Sequence, residues 1–382
     1  MLRAARAMLP VLRERQDECE SLGRLPQHTN DEFVSAGFYG ILQPRRFGGC
    51  ELDMPTFFKV MSTISRGCPS SGWVLTLTAG HPLLLAALLP EEGQTELFGP
   101  DGDFRGPASL NGTGAAVPVD GGYHLSGTWH YVSGCHIATH FIGLASNGDQ
   151  RLLLTVPREA IHIVEDWDVL GMRGTGSHRV IVDDVFVPEH HTCAAAFDYA
   201  TSHAAPGRVV HEAPIYRAGR IGSLLWGEMA AVAVGVAQGA LDEYEHELRS
   251  KKLAYPPFSP RSTVPEYQRQ FGEAWALVAM AEATLERVGR DYMEFAEREV
   301  RTGEPFSDQL DRQLQLLEQY VTKLAADAVD IMFRTAGTSA TRSGARLQRY
   351  YRDMAMVRTH RAAQYQSGAE EFGRGYFQEM SS

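Results

Sequence analysis

Four polar side chains that could act on a bound substrate stand at the edges of apolar segments. His81 directly precedes an apolar run, and Ser109 lies where a helical pattern gives way to a β pattern. Ser133 ends an aromatic segment beside a glycine, and His360 follows an Arg-Asp pair in a C-terminal helical stretch. An imidazole can move protons near neutral pH, and a glycine lets a flat ring approach the backbone. Each signal is weak by itself.

Several familiar chemistries are missing from the sequence. There is no G-x-G-x-x-G after a strand, no P-loop and no G-x-S-x-G, which argues against a dinucleotide fold, an NTPase and an acyl-transfer serine. The Gly-rich run 171–177 precedes a strand pattern and predicts a sharp turn. His136 and His140 have helical metal-ligand spacing on a strand pattern, so we expect no metal site there. His190 and His191 are predicted to lie in a solvated loop.

The composition is that of an ordinary globular protein. The chain has 382 residues, of which 44% are hydrophobic and 22% charged, with a net charge of −11. This acidic balance argues against nucleic acid as a partner. The 5 cysteines are scattered and form no C-x-x-C pair. No apolar run reaches the length of a membrane span. We therefore predict a cytoplasmic protein that contacts no membrane and holds no disulfide framework.

The first predicted domain, residues 1–103, has the pattern of short helices. Thr29 and Glu32 have the spacing of a capping box, and Gly37 would end that helix. Pro55 is expected at the first position of the next helix, where its missing N–H is not needed.

The second predicted domain, residues 104–205, alternates with a period of two and is rich in β-branched and aromatic residues. This pattern predicts an antiparallel β domain. The expected strands surround 117–119, 123–125, 129–133, 140–145, 152–156 and 180–187. Residues 192–218 and 250–265 carry Pro, Ser and Gly without periodicity and are predicted loops, which together with 81–109 would line a substrate pocket.

The third predicted domain, residues 206–382, returns to a helical period. Ser307 is a predicted N-cap and Gly337 a predicted helix stop. Between them, apolar residues recur at alternating spacings of four and three residues and form a stripe along one helix face. This stripe favours core packing in a helical bundle, and a subunit interface is the alternative. The stripe consists of Leu310, Leu314, Leu317, Val321, Leu324, Ala328 and Ile331.

Sequence motifs along nearly the whole chain occur together in one known order. In this combination the chain resembles the acyl-CoA dehydrogenase fold, in its two-component (group D) flavin-dependent monooxygenase branch. That branch includes the oxygenase components of 4-hydroxyphenylacetate 3-hydroxylase and of steroid-phenol hydroxylases. The matching stretches are 37–42 with 44 and 47–49, 71–73, 81–82, 121–129, 133–135, 171–177, 182–188, and Arg352-Asp353 with His360.

The resemblance implies an α+β protein with an N-terminal helical domain, a central antiparallel β domain and a C-terminal four-helix bundle. It implies an oxygenase component that hydroxylates an aromatic, phenolic substrate with O2 through a C4a-hydroperoxyflavin. Reduced FMN or FAD would come from a separate NAD(P)H-dependent flavin reductase. A homotetramer is the expected assembly, because the cofactor of this family often contacts a neighbouring subunit.

The resemblance also implies roles for particular residues. An imidazole pair would take the phenolic proton, a hydroxyl would orient the substrate, and Ser133 would hydrogen-bond the flavin N5. The implied catalytic residues are His81, Ser109 and His360. The implied flavin-binding residues are Trp129, Tyr131 and Ser133 around the ring, with Arg173, Ser177 and Arg334 near the phosphate.

Three other functions are weighed against this one. Many acyl-CoA dehydrogenases place a catalytic Glu eight residues after the Asp of the Arg-Asp pair, where this chain has Arg361. Since an Arg cannot serve as the carboxylate base, dehydrogenation is disfavoured. An N-oxygenating, nitrososynthase-type monooxygenase is the second alternative. A non-catalytic scaffold is the third, and it would not need His81, Ser133 and His360 together.

Overall fold

The computed structural model describes residues 1–100, 102–195 and 197–379, and these contain 13 α-helices and 7 β-strands. Helices come first, a β-sheet follows, and helices return, as the sequence predicts. The first six helices are α1 (Leu2–Glu14), α2 (Gln16–Leu22), α3 (Gln27–Ser35), α4 (Met54–Gly67), α5 (Pro69–Leu88) and α6 (Glu91–Phe98).

A seven-stranded sheet forms the centre of the chain, in the order β5-β6-β2-β1-β3-β4-β7. The prediction of a purely antiparallel domain needs one correction, because β1 and β3 run parallel. The β1–β2 hairpin turns at 120–121, and β3 then lies on the far side of β1. The strands are β1 (Ala108–Val119), β2 (Gly122–Val132), β3 (His140–Asn147), β4 (Gln150–Pro157), β5 (His162–Val164), β6 (His178–Pro188) and β7 (Thr192–Ala194).

The C-terminal helices pack around α9, which contacts α10, α11 and α12 and also reaches back to α4 and α5. The predicted apolar stripe lies on α11, where Leu314, Val321 and Ala328 are fully buried, as expected for core packing. The helices are α7 (Tyr199–His203), α8 (Pro214–Arg217), α9 (Ile221–Ser250), α10 (Pro265–Thr302), α11 (Asp308–Thr335), α12 (Arg346–Val357) and α13 (Tyr365–Glu379).

Local helix signals are confirmed in part. The Ser307 hydroxyl accepts from the Leu310 amide at the start of α11, and Gly337 has a φ of 83° just past its end. The capping box at Thr29 is wrong, because α3 begins two residues earlier at Gln27. Thr29 instead accepts a hydrogen bond from the Arg15 guanidinium, so a tertiary contact satisfies its hydroxyl. The predicted loop 192–218 contains β7, α7 and α8.

Two helices are long and apolar enough to cross a membrane. In the most apolar stretch of 18 residues in each helix, 89% of the residues of α5 and 78% of those of α9 are buried inside the fold. Core helices of this kind meet the same length and composition criteria, so these two helices are central packing elements of the structure.

The Arg-Asp pair joins the β domain to the helical bundle. The Asp353 carboxylate accepts from the Met172 amide at 2.5 Å, and Arg352 donates to the Leu170 carbonyl at 2.7 Å. A side chain at Gly171 would overlap the Arg352 carbonyl, so the glycine permits this close approach. Two motifs 181 residues apart therefore form a single clasp, which fixes the turn after Met172 beside α12.

Candidate active site

A cavity of about 1000 Å³ lies where the three parts of the chain meet. A cavity of this size is at the upper end for ligand sites and has room for more than one aromatic ring system. It is lined by residues from α5, β1, β2, the turn 173–177, α9, α11 and the segment after α12. Six predicted site residues lie on its wall: His81, Ser109, Tyr131, Ser133, Ser177 and His360.

His81 presents a neutral imidazole with a fixed tautomer. It lies within α5 and is 3% exposed, and its Nδ1 lies 2.6 Å from the Gly106 carbonyl oxygen. Since a carbonyl can only accept, Nδ1 carries the proton and Nε2 keeps its lone pair. Burial lowers the pKa of His81 to about 4. At neutral pH, His81 therefore offers a proton acceptor.

His360 has the opposite tautomer. It caps a short 3-10 turn, where its Nδ1 accepts from the Ala362 amide at 3.2 Å. Nδ1 is thus unprotonated, and the neutral ring carries its proton on Nε2. The side chain is open to the cavity, and desolvation by the surrounding protein lowers its pKa. The two imidazoles on this cavity therefore differ in kind, since His81 accepts and His360 donates.

A chain of hydrogen bonds fixes the direction of the Ser133 hydroxyl. Thr175 Oγ1 donates to the Met172 carbonyl at 2.9 Å, so Ser177 must donate to Thr175 and Ser133 to Ser177, each over 2.7 Å. The Trp73 indole N–H donates to Ser133 at 2.9 Å. A hydroxyl has two lone pairs, so Ser133 Oγ keeps one free acceptor site and has no free proton.

Ser109 is held in place by the neighbouring strand. Its hydroxyl is 5% exposed and donates to the His130 carbonyl on β2 at 3.0 Å. With its proton engaged, the Ser109 oxygen can accept a hydrogen bond from a ligand in the cavity. Two of the predicted hydroxyls, Ser109 and Ser133, are therefore acceptors on the same cavity wall.

Three predicted site residues lie elsewhere. Trp129 is fully buried in the core of the sheet, where its indole N–H donates to the Leu144 carbonyl at 2.8 Å. Its side chain packs in the hydrophobic cluster of the sheet, so it does not wall the cavity. Arg173 and Arg334 are exposed and also lie outside the cavity lining. Arg173 pairs with Asp168 at 3.8 Å.

Sequence reasoning missed Trp73 and Glu228, which both line the cavity. Trp73 joins the two key groups, because its indole bonds Ser133 and meets the His360 ring edge-on at 5.8 Å. Trp73 lies in the stretch 71–73 that matches the family, and this position is the sequence feature that could have identified it as a site residue. Glu228 lies in an apolar segment of α9, and only the absence of a side chain at Gly80, which Glu228 Oε1 would overlap, makes room for its carboxyl group.

Glu228 and Glu318 form a buried acidic pair beside the cavity. Both carboxyl groups lack a hydrogen-bond partner among the described residues and are at most 1% exposed. Burial raises the pKa of each well above its ordinary value, and repulsion from Asp311 and Glu228 adds to the rise for Glu318. The low-dielectric interior thus favours the neutral acids.

Glu318→Gln should stabilise the protein at alkaline pH. A raised pKa means that the stability contributed by neutral Glu318 is present below pH 4.5 and is lost as the pH rises towards and through the folded-state pKa. The loss is about 1.4 kcal/mol for each pH unit in that window. We expect the melting temperature of the variant to exceed that of the parent by more at pH 9 than at pH 5. The exposed Glu297→Gln serves as control, and an equal difference at both pH values would contradict the prediction.

Comparison with known proteins supports one family throughout the chain. Residues 3–96 match the acyl-CoA dehydrogenase N-terminal domain and residues 228–365 its C-terminal domain. The chain is 31% identical to the flavin-dependent monooxygenase oxygenase subunit HsaA of Rhodococcus jostii (strain RHA1), over 97% of this chain and 96% of HsaA.

Two further similarities extend this result. The p-hydroxyphenylacetate 3-hydroxylase oxygenase component of Acinetobacter baumannii is 24% identical over 98% of this chain and 88% of its own. The crystal structure of 3-HSA hydroxylase from Rhodococcus sp. RHA1 superposes with a TM-score of 0.90, at 30% identity, and covers 98% of this chain and 96% of the relative. The similarity therefore spans both helical regions and the sheet between them.

Proposed function

Because the chain belongs to the acyl-CoA dehydrogenase family and to its flavin-dependent monooxygenase branch, we propose that it hydroxylates a phenol in the cavity lined by His81, Ser109 and His360. It is the oxygenase component of a two-component system that acts on an aromatic substrate, and a separate reductase supplies the reduced flavin. The observation that carries the phenol assignment is the convergence of two imidazoles with opposite tautomers on one cavity.

The cavity has groups that suit a reduced flavin. Ser133 Oγ has one free lone pair, and the N5–H of reduced flavin is a donor. Tyr131 is 65% exposed and lines the same cavity, as do Trp73 and Ser177. A bound reduced flavin would activate O2, which would supply the oxygen atom transferred to the substrate.

The direction of the Ser133 hydroxyl makes its role specific. A serine whose proton were free could serve an oxidised N5, which is an acceptor. Here a series of hydrogen bonds runs from Trp73 to the Met172 carbonyl, and within it the Ser133 hydroxyl donates its proton to Ser177. Ser133 would therefore favour the reduced cofactor by accepting a hydrogen bond from its N5–H, and holding that proton would slow loss of hydrogen peroxide.

The two histidines have different roles towards the substrate, since one accepts a proton and the other donates a hydrogen bond. His81 Nε2 is an unprotonated acceptor that can take the phenolic proton, which raises electron density at the ring carbon ortho to the oxygen. His360 carries a proton on Nε2 and can donate to an oxygen in the cavity. Ser109 Oγ accepts from a second polar group and sets the orientation of the substrate. Hydrogen bonds to backbone groups fix all three side chains before the substrate arrives.

The central experiment measures oxygen transfer. The full chain is supplied with chemically reduced FMN or FAD, isotopically labelled O2 and a panel of phenols that includes resorcinol and p-hydroxyphenylacetate. We expect a product that gains one labelled oxygen atom on the ring. Reduction of a dye acceptor by an acyl-CoA without oxygen incorporation would overturn the proposal, as would oxygen transfer confined to amines.

Ser133→Ala should release hydrogen peroxide faster than the parent protein. A single hydrogen bond is worth about 0.5–1.5 kcal/mol, and each 1.4 kcal/mol is a factor of ten in rate. We therefore expect peroxide release to accelerate by a few-fold to about tenfold, with a matching loss of coupling between flavin oxidation and hydroxylation. The control is the exposed Ser146→Ala on β3. Peroxide yields equal in the variant and the parent would remove Ser133 from this role.

The assembly and the phosphate site are part of the same proposal. Arg173 and Arg334 lie on exposed surface outside the cavity, so they suit a flavin phosphate that projects beyond it. Tyr131 is also exposed at the cavity edge. We place these surfaces at contacts within a homotetramer, in which neighbouring subunits complete the flavin site.

A further inference from the structure

A cluster of two histidines and a glutamate joins α6 to the turn that follows β6. His190 Nε2 lies 2.9 Å from Glu96 Oε2, and His191 Nε2 lies 3.0 Å from the same oxygen. All three atoms lie within 4.8 Å of one another. The sequence predicted a solvated loop here, and the structure corrects this, because the side chains of His190 and His191 are only 24% and 15% exposed.

A simple ion pair accounts poorly for this arrangement. His191 Nε2 is buried and makes no hydrogen bond among the described residues, although it faces a carboxylate oxygen. The two rings pack edge to face at 4.6 Å, so two positive charges would repel at close range. The arrangement thus gathers two imidazole nitrogens and a carboxylate oxygen at one point.

The backbone holds these three groups together. Gly93 lies between Glu92 and Glu96 on α6, and a side chain there would overlap the His190 carbonyl oxygen. The glycine lets α6 approach the turn Glu189–His191 closely. Glu92 Oε2 lies 3.9 Å from His190 Nδ1, and after a small side-chain shift it can accept a hydrogen bond from Nδ1–H when Nε2 acts as a ligand. Carboxylates behind metal-bound histidines commonly have this function.

We propose that Glu96, His190 and His191 bind a divalent transition-metal ion of the Zn²⁺ class, with water completing the coordination. Zinc binds imidazole nitrogen and carboxylate oxygen at about 2.0–2.2 Å, which places tetrahedral ligands about 3.3 Å apart. The observed separations of 2.9 and 3.0 Å need only a small expansion. The ion would connect the N-terminal helices to the sheet and would stabilise their junction away from the flavin cavity.

The test uses the untagged full-length protein after treatment with EDTA. Titration with ZnCl₂ by calorimetry should show one ion per chain, and CoCl₂ should produce visible absorption typical of nitrogen and oxygen ligands. His190→Ala, His191→Ala and Glu96→Gln should each weaken Zn²⁺ binding by at least about tenfold, and Glu92→Gln by about 10- to 100-fold if it supports His190. Zn²⁺ should raise the melting temperature of the parent protein but not of these ligand variants.

The control is His162→Ala, which removes an exposed imidazole from β5 of the same domain and should leave binding unchanged. Glu96→Gln keeps the shape of the side chain, so if a histidine variant folds poorly, Zn²⁺ binding by Glu96→Gln still tests the proposed site. The proposal is overturned if the parent protein does not bind Zn²⁺ at concentrations on the order of 100 μM. It is also overturned if Glu96→Gln binds as tightly as the parent, which would leave an ion-paired histidine cluster.

Discussion

His81→Ala should lower the rate of substrate hydroxylation by about 10²–10⁴, the usual contribution of a general base. The reason is that Nδ1 of His81 is committed to the Gly106 carbonyl, which leaves Nε2 as the proton acceptor on this wall of the cavity. Consumption of O2 by reduced flavin should continue, because Ser133 and Trp73 remain in place. The measurement is product formed per reduced flavin, with hydrogen peroxide quantified alongside.

The pH dependence separates His81 from other groups. Burial lowers the pKa of His81 to about 4, so its neutral, accepting form predominates above that value and is lost as the pH falls through it. As far as His81 is concerned, the kcat/KM for hydroxylation should therefore not vary with pH near neutrality and should decline below about pH 4. In His81→Ala this acidic decline should disappear. The exposed His246→Ala on α9 is the control and should resemble the parent.

His360→Ala should also abolish most hydroxylation, for a different reason. Its Nε2–H is a hydrogen-bond donor whose position is fixed by the bond between Nδ1 and the Ala362 amide. Removal of one such preorganised donor costs about 10²–10³ in rate. Protonation of the ring does not remove the Nε2–H, so the acidic decline of kcat/KM should remain in this variant. Oxidation of the reduced flavin should persist and yield hydrogen peroxide.

A second substitution tests whether His360 acts as a donor. His360→Gln keeps an N–H group and should recover part of the activity that His360→Ala loses. Unchanged turnover in His360→Ala would exclude His360 from the reaction. Loss of the acidic decline in His360→Ala, together with its retention in His81→Ala, would reverse the two roles assigned to the imidazoles.

The sequence predicts the architecture well because its periodicities are local. A period of two over the central segment and a helical period on both sides correctly predict a sheet between helical regions. The Ser307 cap and the Gly337 stop are confirmed because both depend on residues within one helical turn. The Thr29 capping box is wrong because α3 already begins at Gln27, and the Thr29 hydroxyl instead accepts a hydrogen bond from Arg15.

The set of residues in the cavity was also readable from sequence motifs. The matched stretches contribute His81, Ser133, Ser177 and His360 to one cavity, and Ser109, which lies outside those stretches, lines it as well. Trp129 illustrates the limit of such reasoning. An aromatic residue in a strand next to a candidate site can face either side of the sheet, and only the folded structure shows that this indole lies in the core.

The amino-acid sequence thus determined the order of the domains, the family resemblance and several of the polar side chains that line the cavity. Only the tertiary structure decided which histidine accepts, which one donates and which way the Ser133 hydroxyl points. Those properties depend on partners distant in the chain, such as Gly106 for His81 and Trp73 for Ser133, 25 and 60 residues away. A proton's position is set by the acceptor that folding brings beside it, and local sequence patterns carry no information about that acceptor.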